Sequence, residues 1–389
     1  MNEPNYEKPR RRVLLALDWY SQAIHRGVYQ YAQKADWILS SHTARYHEAP
    51  PHWHGHGIIS MLGENSPFEN FVRQKKLPTV NLSWRLPHKD MPMVLHDDLA
   101  IGKMGADHFL GRGFKNLAFY QEEPLTVALD RKIGFRDAVN NAGAQFFEIN
   151  WAHVQQQYPN WGAAERHRWL VEKLKTLPTP LAIMAQNDDR AAELIHACET
   201  ANISVPEQVA ILGCDNEELN CNFTPIPLSS IDSNLEMVGY EGAKLLDMLM
   251  KGHKAPTEPI LIPPKGLVER KSTESLAVTH SEVASALVFI SEHYTEPIGV
   301  DDIVASVPMS RRGLYAAFSH HVGRSIADEL TMRRLSHAKM MLAETQYKLR
   351  EISRQSGFHS AARMNSVFHR YLGMSPGEYR KKVTREKVK

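Results

Sequence analysis

Cysteine is scarce. Three of 389 residues (Cys198, Cys214 and Cys221) are too few for a disulfide framework in a chain of this length. A reducing cytoplasm is the simplest compartment. No long apolar run is present, and the opening MNEPNYEKPRRR is polar and basic, so neither a secretory leader nor a membrane span is expected. There is no G-x-G-x-x-G loop, no P-loop and no G-x-S-x-G elbow. Metal-ligand frameworks are missing too. The nearest is HWHGH at 52–56, three alternating histidines with no matching Cys or acid cluster, which reads as a surface loop. No low-complexity tract or solenoid repeat occurs. Without a nucleophile, metal framework or cofactor motif, no metal, no cofactor and no catalysis are expected.

What is present is a chain too long for one ordinary core, so two or three domains are expected. An apolar share of 43% and a charged share of 23% mark a soluble globular protein. The net charge of +2 hides an asymmetry: residues 308–389 carry +11, and residues 1–307 carry −9. A basic end on an acidic body is the layout of a nucleic-acid reader joined to something else.

Val13–Asp18 (VLLALD) reads as a buried strand, followed by a helix over about 21–34. Similar apolar runs recur at 57–62, 77–83, 116–121, 181–186 and 209–215. Helical segments stand among them at 102–110, 131–142, 165–176, 190–201 and 235–251. Alternation of this kind means βαβ units and parallel sheets covered on both faces. It runs for some 260 residues, too many for one sheet, which predicts an α/β body of two Rossmann-like lobes. From Ser281 onward only amphipathic helices remain. The expected layout is a basic lead at 1–11, a two-lobed domain at 12–270, a linker at 271–281 and an all-α domain at 282–389.

The helical tail contains a weak duplication. In 300–318, Pro308 breaks a helix and Ser310 stands at an N-cap position. Leu314 and Phe318 then form an i, i+4 apolar pair. In 348–368, Gly357 makes the turn, Ser360 can cap, and Met364 and Phe368 repeat the pair. One long helix, 326–344, lies between. Two helix-turn-helix units on a connector can enter successive major-groove segments about 34 Å apart. With GF at 357–358, VFHRYLGMSPGEYR at 367–380 and RL..A at 334–338, the tail resembles the AraC family of transcription regulators. That resemblance implies a first reading helix carrying Arg311, Arg312, Tyr315 and Ala316. A second carries Ala361, Ala362, Arg363, Asn365 and Ser366. Arginine forks onto guanine, asparagine onto adenine, and alanine touches a thymine methyl. Arg324, Lys348 and Arg370 are the candidate phosphate contacts. The second reading helix departs from the family at Arg363, Met364 and Ser366.

In two-lobed α/β proteins ligands sit at the carboxyl ends of strands. Asp18 ends the first strand here. His96, Asp97 and Asp98 follow MVL at 93–95, Asn187 and Asp188 follow LAIMAQ, and Asp215 and Asn216 follow VAILGC. Arg131 opens a helix. Acids, an amide and an arginine suit a polyhydroxylated ligand, whose hydroxyls both donate and accept. Trp19, Tyr20 and Trp84 offer an apolar face for a sugar ring. Taken singly, each acid reads more readily as a helix cap; the ligand reading rests on the set. The body resembles the sugar-sensing core of the LacI family and the type I periplasmic binding proteins. The resemblance rests on DDLAIGKMGADHFLGRGFKNLAFY at 97–120, DRKIGFRDAV at 130–139, ILGCDNEEL at 211–219, PLSSID at 227–232 and LVERKST at 267–273. It implies that Arg131, Asp188 and Asp215 face the sugar.

LacI-family members carry an N-terminal DNA-binding domain, whereas this chain's reader is at the other end. A LacI-like core with an AraC-like tail implies a monosaccharide-responsive regulator, with a pentose, D-xylose first, as effector and promoter DNA as partner. A homodimer is expected, with RNA polymerase engaged if the regulator activates. The competing class is a carbohydrate-active enzyme with a helical accessory domain.

Overall fold

The structure, a computed structural model, describes residues 10–388 except 47, 49, 51, 64–65, 84–90, 123–125, 276–277, 279, 346 and 359. The chain divides into two compact units between Glu274 and Ser275.

The first unit has two lobes. Its strands are β1 (Arg12–Leu17), β2 (Ile38–Ser40), β3 (Gly57–Met61), β4 (Thr79–Asn81), β5 (Val94–His96), β6 (Asn116–Gln121), β7 (Gln145–Asn150), β8 (Leu181–Ala185), β9 (Val209–Cys214), β10 (Ser229–Asp232), β11 (Ile260–Ile262) and β12 (Gly266–Val268). One parallel sheet runs β2-β1-β3-β4, the other β12-β10-β9-β8-β6-β7 with β12 antiparallel, and β5 pairs with β11. Strands β3, β8 and β9 are buried along their whole length. Helices on both faces remove the alternation seen in half-exposed strands. Helix Leu235–Met250 returns to the first lobe, where Val238, Ala243, Leu245 and Leu246 join the core of β1 and β3. The chain therefore passes between lobes after β5, after β10 and after β11. Backbone bonds tie these crossings: Asp97 N donates to Ile262 O at 2.9 Å, and Lys265 N to Asp232 O at 2.9 Å.

One helix crossing sets the candidate site. Helices Asp98–Gly111 and Thr126–Asn141 meet through Gly102 and Gly134. A Cβ on Gly102 would run into Arg131 O, and one on Gly134 into Leu99 O. Only glycine permits this approach, which brings Arg131 beside the first turn of the other helix.

The sequence assigned to the linker begins inside this unit. Lys271–Thr273 forms a short 3₁₀ turn, and Ser272 and Thr273 are buried. Ser272 Oγ donates to Ile211 O at 2.6 Å and accepts from Ser229 N at 2.8 Å. Because these bonds satisfy buried backbone groups of β9 and β10, the segment belongs to the sensor fold and not to a flexible tether.

The second unit is helical: Ser281–His293, Val300–Ala305, Arg311–Val322, Ile326–Glu344, Leu349–Gln355, Ala361–Leu372 and Pro376–Val388. It has two cores. Ile326 and Leu330 of the long helix belong to the first, and Leu335, Ala338, Met341 and Leu342 to the second. Five residues turn a helix by about 140° beyond a full turn, so one connector serves two cores on different faces. Arg334 fixes the junction by donating to Tyr294 O at 2.7 Å, Glu296 O at 2.8 Å and Ile298 O at 3.1 Å. Gly357, at φ +75°, sits against Tyr294 O where no Cβ fits. Among the described residues no helix is long and apolar enough to cross a membrane.

Candidate functional site

Four charged residues predicted from sequence or adjacent to those predicted meet at the strand ends of the second lobe. Asp98 and Arg131 are 3% and 2% exposed. Arg131 Nε donates to Asp98 Oδ1 at 2.9 Å, and its Nη2 lies 2.7 Å from the same oxygen. Its Nη1 donates to Gln186 O. Nη2 also stands 4.0 Å from Asp215 Oδ1. The fork is thus held on one side by a carboxylate and a carbonyl. Burial works against the Asp98 charge, but His96 and Arg131 outweigh it and hold the carboxyl below its ordinary value.

Asp188, 2% exposed, accepts from Ser230 Oγ at 2.6 Å and from Glu217 N at 2.7 Å. Burial, then the charge of Asp215, pushes its carboxyl up to about 8, so it is mostly neutral at pH 7. Asp215 accepts from Ser233 Oγ at 2.6 Å. It has φ +101° and Asn216 has φ +52°. Two successive non-glycine residues in this region are strained, by roughly 1–3 kcal/mol each. The turn is held by Arg270 Nη2 donating to Asn216 Oδ1 at 2.9 Å and by Asn216 N donating to Ser230 Oγ at 3.0 Å.

Asp97 and Asn187 use a side-chain oxygen to cap the helices that follow, accepting from Ala100 N and Arg190 N, each at 3.0 Å. On the first lobe, Asp18 accepts from Gly63 N and, at 2.7 Å, from Ser66 Oγ. Trp19 packs half-buried on that lobe's core, and Tyr20 is exposed with its hydroxyl 3.0 Å from His25 Nδ1. Asp18 and Tyr20 thus make their described contacts within the first lobe. Trp84 lies outside the described residues. His56, one of the three alternating histidines, accepts from Arg12 N at 2.9 Å.

Sequence reasoning gave no role to Gln186, Ser230, Ser233 or Arg270. The signal available was SSIDS at 229–233: buried hydroxyls in a strand and just past its end need partners, and Ser230 holds Asp188 while Ser233 holds Asp215.

In the second unit Ser310 and Ser360 cap the helices as expected, accepting from Gly313 N and Arg363 N at 3.2 Å. Leu314, Phe318, Met364 and Phe368 are buried. The opposite faces display Arg312, Tyr315, Ala316, Ala362, Arg363, Asn365 and Ser366, with Ala361 half-buried. Arg311 is exposed but pairs with Asp301 at 2.5 Å. Ser366 Oγ donates to Ala362 O at 3.1 Å. Lys348 is exposed ahead of helix Leu349–Gln355. Arg370 is exposed over the Tyr371 ring. Arg324 is engaged by the buried Glu329, which also takes Arg333 Nε at 3.1 Å.

Residues 106–273 match a periplasmic binding protein-like domain and residues 303–382 a helix-turn-helix domain. The xylose operon regulatory protein of Escherichia coli (strain K12) is 29% identical over 381 residues, 93% of this chain and 94% of that protein. Its Haemophilus influenzae counterpart is 29% identical over 83% of this chain and 84% of that protein. Among solved structures, a xylose-binding transcription activator, xylR, superposes with a TM-score of 0.78 at 26% identity, over 96% of this chain and 98% of that one. The chain is a transcription regulator built as a periplasmic binding protein-like sensor domain with a C-terminal helix-turn-helix DNA-binding domain, homologous along nearly its whole length to the xylose operon regulatory proteins.

Proposed function

We propose that this regulator senses a pentose, D-xylose first, in the cytoplasm, and activates genes for its use. The observation that carries the reading is the match of both units, in order and across nearly the full length, to regulators of xylose operons. The sensor chemistry supports it. The buried Arg131 fork, the Asp215 carboxyl and the buried Asp188 carboxyl offer donors and acceptors to ligand hydroxyls. We assign Arg131, Asp188 and Asp215 to the second-lobe side of the sugar, with Asp97 and Asn187 beside them. Asp18, Trp19 and Tyr20 are assigned to the first-lobe side, and Trp84 is assigned there from the sequence alone.

In the DNA-binding unit, Arg312, Tyr315 and Ala316 with Arg311 form the first reading face. Arg363 and Asn365, with Ala361, Ala362 and Ser366, form the second. Lys348, Arg370 and Arg324 take phosphates. A homodimer brings two such units to a promoter, where an activator engages RNA polymerase. Sugar shifts the protein toward its DNA-competent state by binding that state better. The enzyme reading has no support, since the relatives are named as regulators.

A monosaccharide panel tests this by thermal melting of the full chain. D-xylose at a hundredfold excess over its dissociation constant is expected to stabilise the sensor by about 2.7 kcal/mol. It should also change binding to a promoter fragment in a salt-sensitive way. A chain that melts identically with every sugar sinks the reading.

A further inference from the structure

Gln121 ends β6, is 5% exposed, and its Oε1 has no hydrogen-bond partner among the described residues. Buried acceptors are rarely left open. Asp98 Oδ2 and His96 Nε2 lie 3.2 Å apart without the alignment of a hydrogen bond. Asp98 Oδ1 is already taken by Arg131.

These atoms share one wall. Strand alternation puts Gln121 on the same sheet face as Phe119, whose ring packs 6.0 Å from that of Phe135. Phe135 follows Arg131 by one helical turn on helix Thr126–Asn141. Gln121 therefore ends its strand on the Arg131 side. Strand β6 neighbours β8, and Gln186, just past β8, receives Arg131 on its carbonyl. His96 ends β5, and Asp98 opens the next helix.

We propose that Gln121 and the His96–Asp98 pair are ligand contacts that select the sugar. Gln121 Oε1 accepts from one ligand hydroxyl. A second hydroxyl donates to Asp98 Oδ2 and accepts from His96 Nε2–H, supplying the alignment the pair lacks by itself. This rests on the sugar-sensing reading above and extends it to residues that set which hydroxyls are required. A site built to hydrogen-bond a hydroxyl rejects an analogue that lacks it far more strongly than an apolar pocket rejects an extra group.

The test is calorimetric binding of D-xylose and its monodeoxy analogues to full-length wild type, Gln121→Leu and His96→Phe. Gln121→Leu is expected to weaken xylose binding roughly tenfold. It should also lose wild-type discrimination against one deoxy analogue while keeping it against the others. His96→Phe should do the same at a different hydroxyl. Unchanged binding, or an equal loss for xylose and every analogue, overturns the assignment. Should Gln121→Leu not fold, Gln121→Glu keeps the acceptor and is expected to keep the discrimination; its loss there also counts against the assignment. If wild type binds no monosaccharide, the sensing reading fails and takes this one with it. If wild type binds xylose and Gln121→Leu matches it, only this one fails.

Discussion

Arg131 and Arg312 carry the same guanidinium in opposite settings. Arg131 is buried, held by Asp98 and the Gln186 carbonyl, with Asp215 at 4.0 Å. Arg312 stands in solvent on the outer face of its helix. The sensor places charge in the interior and must satisfy it with neighbours, so each charged residue there is also structural. The DNA-binding unit keeps its reading charges outside, on helices whose inner faces fold without them. The difference predicts that sensor substitutions mix binding with stability, whereas reader substitutions separate them.

The sharpest break of that comparison is Arg131→Ala. Removing one partner of a buried ion pair leaves the other uncompensated, at a cost of about 3–5 kcal/mol. The variant should lose its sugar response and also melt markedly lower, with Asp98 stranded. Adding Asp98→Asn should recover much of the stability but none of the response. Both are read by thermal melting with and without D-xylose. A single variant that keeps wild-type stability would show that the pair is not buried as described.

The extent of sequence legibility follows the same divide. Five of the six apolar runs (those of β1, β3, β6, β8 and β9) could be read because covered parallel strands are continuous hydrophobic stretches, and the sixth, at 77–83, holds the three-residue β4. The short strands β2, β10, β11 and β12 have three or four residues each, too few to show a period. Strand β7, QFFEIN, is largely half-exposed and has neither a clean run nor a clean alternation. In the reader, Ser310 and Ser360 were legible because a cap and its i, i+4 pair are local. In the cleft, a strand followed by an acid and a helix describes a cap more readily than a ligand contact. Asp97 and Asp98 are adjacent, yet one caps its own helix and the other holds Arg131. That choice is made by the Gly102–Gly134 crossing, which joins segments some thirty residues apart, so no local pattern contains it.

A smaller effect separates the units by pH. Asp188 titrates near 8 when folded and near 3.8 when unfolded. Between those values the folded state holds a proton that the unfolded chain has lost, so stability falls as pH rises. His108 acts in the opposite direction. Burial, with Arg112 beside it, lowers it from 6.5 to about 4, so its contribution is lost as pH falls below 6.5 and is flat above. From pH 6.5 to 8 the sensor should therefore lose up to about 1.4 kcal/mol per pH unit through Asp188. The difference between wild type and Asp188→Asn in denaturant midpoints across that range isolates the slope. Parallel curves would mean Asp188 is ionised throughout.

The smallest effect is expected in the reader and concerns discrimination, not stability. Arg312 is exposed, is near the start of helix Arg311–Val322, and lies outside both cores. Arg312→Ala should leave melting within about 0.5 kcal/mol of wild type. If Arg312 forks onto a base, the variant should lose about 1–3 kcal/mol of preference at one position of the operator and little on unrelated DNA. Arg370→Ala is the matched control. Its side chain is exposed over Tyr371, and as a phosphate contact it should weaken every sequence alike and lower the salt slope by about 1. Competition binding of both variants to a panel of single-base operator changes, at two salt concentrations, distinguishes the roles. Arg312→Ala weakening all sequences equally would move that residue to the phosphate set and leave the first reading face to Tyr315 and its neighbours.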